Sequence, residues 1–183
     1  MNALRQSLRQ KRRNISIVVR DKLAINLLSN IKKIVNFNKD QKIALYLPND
    51  GEVDPKYLQN FLKKQEINTY LPILVDKSLK FAKVGENFRN NQYGIPEPIS
   101  TEIISAEQLD IVFMPLVGFD SDKNRIGMGG GYYDRTLAFK KDQKSSEKPT
   151  LIGLAFDCQH VEQLETQDWD VTLDAIITPS NIY

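Results

Sequence analysis

Asp110-Ile-Val-Phe-Met-Pro-Leu-Val-Gly-Phe-Asp-Ser-Asp-Lys-Asn-Arg-Ile-Gly-Met-Gly-Gly-Gly-Tyr-Tyr-Asp134 is the stretch on which the fold turns. Asp110 to Met114 is an apolar run of strand length, and Pro115, which has no N–H to donate, marks its end. An extended loop follows, and then four glycines in five positions, Gly127, Gly129, Gly130 and Gly131. Glycine admits positive φ and lets a ligand approach the main chain closely. Successive exposed amides that feed a helix make an anion site, and Gly131 to Phe139 reads as that helix. Arg125 adds a fixed cation whose fork suits phosphate. Asp134 offers a carboxylate of the kind that holds magnesium beside phosphate oxygens. The segment lacks the Lys-Ser/Thr of a P-loop and does not have the dinucleotide glycine spacing. A glycine turn with no ligand is the plainer alternative.

Outward from this stretch, strands and helices alternate. Residues 3–35 predict helix in two pieces, with Ser16 capping a second helix that carries Val19, Leu23, Leu27, Ile31 and Ile34 at a period of about 3.6. Ile43 to Leu47 predicts a buried strand that stops at Pro48, and Asn49-Asp-Gly51 a turn. Asp54 and Pro55 predict the cap and first residue of a helix with Tyr57, Leu58, Phe61 and Leu62. Further strands are expected at Ile67–Val75, Leu79–Val84, Leu151–Phe156 and Leu173–Thr178. Pro72 inside one of them implies an edge, a bulge or a strand end. Phe88 to Pro98 reads as turn-rich, and Lys140 to Pro149 as an exposed, mobile polar loop. Together these imply an α/β sheet covered on both faces, forming one domain over residues 1–183 with no internal repeat.

Composition narrows the function. Of 183 residues, 41% are apolar and 26% charged, so the chain is expected to fold as a globule. A net charge of +2 does not by itself argue for nucleic acid. The lone Cys158 excludes an internal disulfide and suits a reducing compartment. No run approaches the roughly 18 apolar residues of a membrane span, and the basic N-terminus has no signal-peptide pattern. The expectation is a soluble cytoplasmic protein with no membrane and no nucleic-acid partner.

The central motif resembles a known family. Pro115 to Asp120, followed by Arg125 to Arg135, looks like the signature of 5-formyltetrahydrofolate cyclo-ligase, also called methenyltetrahydrofolate synthetase. Arg5, Leu8 and Arg12-Arg13 are similar to its basic first helix. Gly51-Glu-Val-Asp54, Tyr93 to Pro98, Gly153 to Gln159 and Asp168 to Asp174 follow in the family's order. The resemblance implies a three-layer α/β/α sandwich of the NagB/RpiA/CoA-transferase-like type with a mostly parallel sheet, acting as a monomer. It implies cyclisation of 5-formyltetrahydrofolate to 5,10-methenyltetrahydrofolate with ATP and magnesium, releasing ADP and phosphate through a phosphorylated formyl intermediate.

The resemblance also distributes roles. Arg5 and the run Arg125, Ile126, Gly127, Met128, Gly129, Gly130, Gly131, Tyr132 and Tyr133 would surround ATP, with Arg125 and Tyr132 catalytic. Leu47, Glu52 and Met128 to Tyr132 would line the folate side, Glu52 holding pterin donors. Asp134 and Asp170 would hold magnesium, with Asp168 and Asp174 as register alternatives for Asp170. Met1 stands where the family usually has lysine, and Met128 where it usually has a basic residue. Plainer alternatives stand beside these: Glu52 as a turn carboxylate, Asp170 as a cap, and the first-helix arginines as a solvated face. His160 reads as a surface or turn residue, Cys158 as a packed small side chain, and Trp169 as core packing rather than a cover over a pocket mouth. The basic first helix also fits a nucleic-acid module. A sugar-phosphate isomerase or CoA-transferase on a related fold would likewise bind phosphate.

Overall fold

Two helices, α1 (Asn2–Arg13) and α2 (Ile17–Ile34), open the computed structural model, which describes residues 1–142 and 148–183. Ser16 separates them as expected: its extended backbone and its hydroxyl, which accepts the Val19 amide at 3.4 Å, cap α2. Strands and helices then follow as β1 (Lys42–Ala44), α3 (Lys56–Lys64), β2 (Asn68–Val75), β3 (Ser78–Lys83), β4 (Phe88–Asn90) and β5 (Pro96–Pro98). After them come β6 (Ile103–Ile104), β7 (Ile111–Pro115), β8 (Gly118–Phe119), β9 (Arg125–Ile126), α4 (Tyr132–Thr136), α5 (Phe139–Asp142), β10 (Thr150–Leu154) and β11 (Ala175–Ile177).

Seven strands make one sheet in the order β11-β10-β7-β1-β2-β3-β6. Those from β11 to β2 run parallel, and β3 and β6 close the edge antiparallel. The sheet is thus mixed and mostly parallel; the apolar runs could not announce the antiparallel edge. Alternation along the strands divides the core in two. Ile43, Leu45, Ile111, Phe113, Ile152 and Leu154 pack with Ala24, Leu27 and Ile31 of α2 and Leu58 and Leu62 of α3. Ala44, Val112, Met114, Leu151 and Ile176 face the other way, towards Leu109, Phe119, Leu137 and Leu173. That second face is covered by short helices and returning loops rather than by long helices.

Several expected boundaries shift for physical reasons. The β1 ladder closes at Ala44; Leu45 still donates to the Tyr70 carbonyl at 2.9 Å, and Tyr46 and Leu47 then turn into the cavity described below. Pro72 lies in β2, which has neighbours on both sides, but past the point where β1 ends. No strand needs its missing N–H there. One position pair further on, the Leu74 amide on that same side is satisfied by the Glu97 carboxylate at 2.8 Å. Asp54 does accept an amide, that of Lys56 at 2.9 Å, but Pro55 is the cap rather than the first helical residue of α3. The helix expected over 131–139 is two short ones, α4 and α5. Lys140 to Asp142, expected as loop, belong to α5; residues 143–147 of that loop lie outside the described residues.

Helix α1 lies on the β8–β9 ribbon through Leu8, which packs with Val117, Ile126 and Leu164. Gly118 permits this close approach, since a Cβ there would stand 2.4 Å from Leu8 Cδ1. That contact brings the arginines of α1 to the site. No helix among the described residues is long and apolar enough to cross a membrane.

Candidate active site

A cavity of about 740 Å³ opens where the parallel strands β1 and β7 end, bounded by Leu47 on one side and Pro115 to Val117 on the other. Ligands of open α/β sheets sit at such carboxyl ends. Arg5, Leu47, Glu52, the whole run Arg125 to Asp134, and Asp170 all line it. Residues up to 165 positions apart in sequence order, from Arg5 to Asp170, therefore share one wall system.

The glycine wall is built by backbone shape. Gly129 has φ +99° and Gly131 φ +65°, conformations that side chains with a Cβ rarely adopt. Gly131 precedes α4 as its N-cap. Arg5 crosses from α1 to donate from Nε to the Gly127 carbonyl at 3.0 Å, and Arg135 ties the Gly130 carbonyl at 2.6 Å. Arg125 has a side chain only 4% exposed, and its Nη2 pairs with Asp134 Oδ1 at 2.6 Å. Its Nε is buried with no hydrogen-bond partner among the described residues. Tyr133, beside the Arg125 guanidinium, has its phenol pushed well above the ordinary range by burial, with the nearby Glu52 charge adding to the rise. Tyr132 hydrogen-bonds hydroxyl to hydroxyl with Tyr93, at the tip of the β4–β5 hairpin, at 2.8 Å.

Asp134 and Asp170 are the carboxylates on the wall expected to hold magnesium. Asp170 also closes its own turn: its carboxylate accepts the Gln167 amide at 2.8 Å. Among the described residues no three His, Cys, Asp or Glu side chains group as a metal cluster. Magnesium, however, takes one or two carboxylates and fills its shell with waters and substrate phosphates. Two hard-oxygen donors on a wall that also carries arginines and amides fit that habit.

Glu52 is a further carboxyl group on the cavity lining. Glu52 accepts the Asn49 amide at 3.0 Å through Oε2 and lies 3.6 Å from Arg12 Nη2 through Oε1. Burial pushes its carboxyl up to about 7, against the Asn49 hydrogen bond and the Arg12 charge, which both hold it down. Behind it, Arg9, Arg12 and Arg13 converge on Asp50. Burial pushes the Asp50 carboxyl up, but hydrogen bonds from Arg9 and Arg13 and the Arg12 charge hold it below its ordinary value. The basic cluster of α1 thus binds its own chain. Arg20 continues the pattern, donating to the Arg12 and Arg13 carbonyls at 3.1 and 2.8 Å.

Sequence reasoning missed Tyr93 as a wall residue, Arg135 as a tie on the loop, and Asp50 as a hub, although Tyr93 and Arg135 stand in the motifs quoted for the family. Trp169, expected in the core, is 67% exposed and lines the cavity. His160 is a turn residue, as expected, at the end of the 157–159 turn; half-buried, it hydrogen-bonds Ser121 at 3.0 Å and stacks on Tyr183. Cys158 is partly buried against the core, as expected.

Fold and site together define an α/β enzyme whose cavity is lined by a glycine run, arginines and carboxyl groups. Comparison with known proteins makes the family definite. The model of the 5-formyltetrahydrofolate cyclo-ligase family matches residues 1–179. A 5-formyltetrahydrofolate cyclo-ligase of Haemophilus influenzae is 36% identical over 181 residues, covering 95% of each chain. The Escherichia coli K12 protein of the same name is 34% identical, covering 77% of this chain and 79% of its own. The solution structure of 5,10-methenyltetrahydrofolate synthetase from Aquifex aeolicus superposes with a TM-score of 0.84 at 32% identity, over 99% of this chain and 90% of that one. The chain belongs to the 5-formyltetrahydrofolate cyclo-ligase family, and it is an enzyme.

Proposed function

We propose that the chain closes 5-formyltetrahydrofolate to 5,10-methenyltetrahydrofolate at this cavity, using ATP. The observation that carries this is that one cavity is lined both by Arg5, Arg125 and the glycine backbone and by Glu52 with Leu47. A formamide oxygen is a poor leaving group. Its attack on the γ-phosphorus of ATP expels ADP and leaves an iminium-like phosphate. The neighbouring N10 then attacks the formyl carbon, phosphate leaves with the former formyl oxygen, and the N10 proton is lost. Such a sequence needs placement and charge stabilisation more than a protein nucleophile.

In this reading Arg125, on the cavity lining, stabilises the transferring phosphoryl oxygens with its charge. Backbone from Gly127 to Gly131, with Ile126, Met128 and Tyr133, cradles the phosphates, and Arg5 fixes the loop through the Gly127 carbonyl. Tyr132 and Tyr93 bound the place where the formyl and phosphoryl groups meet. Glu52, once ionised, accepts hydrogen bonds from the pterin ring. Asp134 and Asp170 would hold magnesium, which supplies neutralising charge for the ATP phosphates.

We further read the architecture as a three-layer sandwich of the NagB/RpiA/CoA-transferase-like type, formed by one domain that works as a cytoplasmic monomer. The test is direct: 5-formyltetrahydrofolate, ATP and magnesium are mixed with the folded protein, and methenyltetrahydrofolate is followed by its absorbance. ATP-dependent appearance of product is expected, and its absence would overturn the proposal.

A further inference from the structure

Arg12 is among the largest fully buried side chains of the described residues, at 0% exposure, yet it does not line the cavity. A buried guanidinium is tolerated only where its donors are answered. Here they are answered by three separate segments. Nε donates to the Asp50 carbonyl at 2.9 Å, and Nη2 to Asp50 Oδ2 at 3.0 Å. Nη1 donates to the Leu116 carbonyl at 3.0 Å, just past the end of β7. Nη2 also stands 3.6 Å from Glu52 Oε1 and 4.0 Å from Met128 Sδ. One side chain therefore ties the 49–52 turn, the exit of β7 and the glycine loop to α1.

We propose that Arg12 is a positioning residue for the folate side: from behind the cavity wall its guanidinium fixes the Asn49–Glu52 turn and holds the Glu52 carboxylate in place. Asp50 is the clamp's other half, and Arg9 and Arg13 keep that carboxylate anchored from the solvent side. The groups that act electrostatically on or with Glu52 come from each neighbouring element. They are Arg12 on α1, Asp50 on its own turn, Tyr46 after β1 and Tyr133 on α4. Arg12 is the cation among these, so its removal leaves the burial of Glu52 opposed only by the Asn49 amide. The inference rests on the proposed role of Glu52 in binding folate.

The test uses Arg12→Met and Arg12→Lys in the full chain. With Arg12→Met, KM for 5-formyltetrahydrofolate is expected to rise about tenfold or more while KM for ATP stays within about threefold. The limb of kcat/KM for folate that reports Glu52 ionisation should move up by roughly one pH unit, since a cation within about 4–6 Å lowers a carboxyl by that order. Arg12→Lys should restore the pH limb but only part of KM, because lysine carries the charge without the fork. In a Glu52→Gln background Arg12→Met should add little further. Equal losses for folate and ATP, an unmoved pH limb, or full additivity with Glu52→Gln would each overturn the inference. Should Arg12→Met not fold, Asp50→Asn breaks the same clamp from the other partner; it is expected to raise KM for folate selectively, and an unchanged KM would count against the clamp. Wild-type protein that makes no product sinks the proposed function itself; active wild-type protein with indifferent variants sinks only the role of Arg12.

Discussion

The two walls of the cavity hold charge by different means. On the glycine wall each cation has one or two partners: Arg125 pairs with Asp134, while Arg5 and Arg135 tie loop carbonyls around Gly129 and Gly131, whose φ is positive. Around Glu52 the pattern is reversed, with the carboxyls of Glu52 and Asp50 gripped by arginines of α1. In the first region side chains shape a backbone; in the second they hold carboxyl groups in one place.

The largest effect should come from breaking the glycine wall. Arg125→Ala is expected to lower kcat/KM by roughly 10²–10³-fold or more, as loss of a transition-state donor does. Circular dichroism should show the fold retained. Near-normal turnover would mean that Arg125 serves only its ion pair with Asp134.

Breaking the opposite wall should have a different signature. Glu52→Gln should raise KM for folate by about 10–100-fold, with a smaller effect on kcat, because it weakens a binding contact. It should also change stability in a pH-dependent way. The folded carboxyl titrates at about 7, above the ordinary 4.5. Between those values the folded chain holds more proton than the unfolded chain. Its contribution to stability is full below about pH 4.5 and is lost as pH rises through 7. Glutamine keeps the shape without the charge, so the variant should be the more stable protein at pH 8, by about 1–3 kcal/mol. The advantage should shrink towards pH 5. Thermal melts at the two pH values check the sign, and a variant no more stable at pH 8 than at pH 5, each relative to wild type, would refute it.

How far each wall was legible in the sequence follows from the same contrast. The glycine segment announces itself because backbone shape is a local property: four glycines behind a strand and an arginine can be read without knowing what packs nearby. The clamp on Glu52 cannot. Arg12 and Asp50 are 38 positions apart, and only the seating of Leu8 over Gly118 decides that this helix face is buried rather than solvated. Pro72 raised the right question, but its answer depends on where a different strand, β1, stops. Asp170 and Trp169 sit in a loop stretch, where nothing in the local pattern separates a turn-closing carboxylate from a ligand or a core indole from a rim one. The strand alternation did predict the α/β sheet, since burial on both faces leaves continuous apolar runs.

A third test separates backbone shape from mere smallness on the glycine wall. Gly131→Ala forces a Cβ onto a residue at φ +65°, 2.6 Å from Arg135 Nη1. It should cost about 1–2 kcal/mol in a denaturant titration. Gly127 has no positive φ, and a Cβ there would meet only Arg125 Nη1 at 3.8 Å. Gly127→Ala should therefore leave stability within about 0.5 kcal/mol of wild type. Equal losses at both positions would show that close packing, not backbone conformation, is what the glycines provide.

The smallest effect is expected at Met128. It lies between the glycines and is 51% exposed, and the resemblance implied a basic residue there. A solvated charge at that place acts through high dielectric and is worth about 0.3–1 kcal/mol. Met128→Lys should thus lower KM for ATP by no more than about fivefold, leave KM for folate unchanged, and make the ATP dependence more sensitive to salt. The sense of this change matters more than its size. A cation added to the glycine wall should help the nucleotide alone, because the Glu52 side is already balanced by arginines of α1. If Met128→Lys changed folate binding instead, the two walls would not be electrically separate, and the 4.0 Å approach of Met128 to Arg12 would be the route by which one is felt at the other.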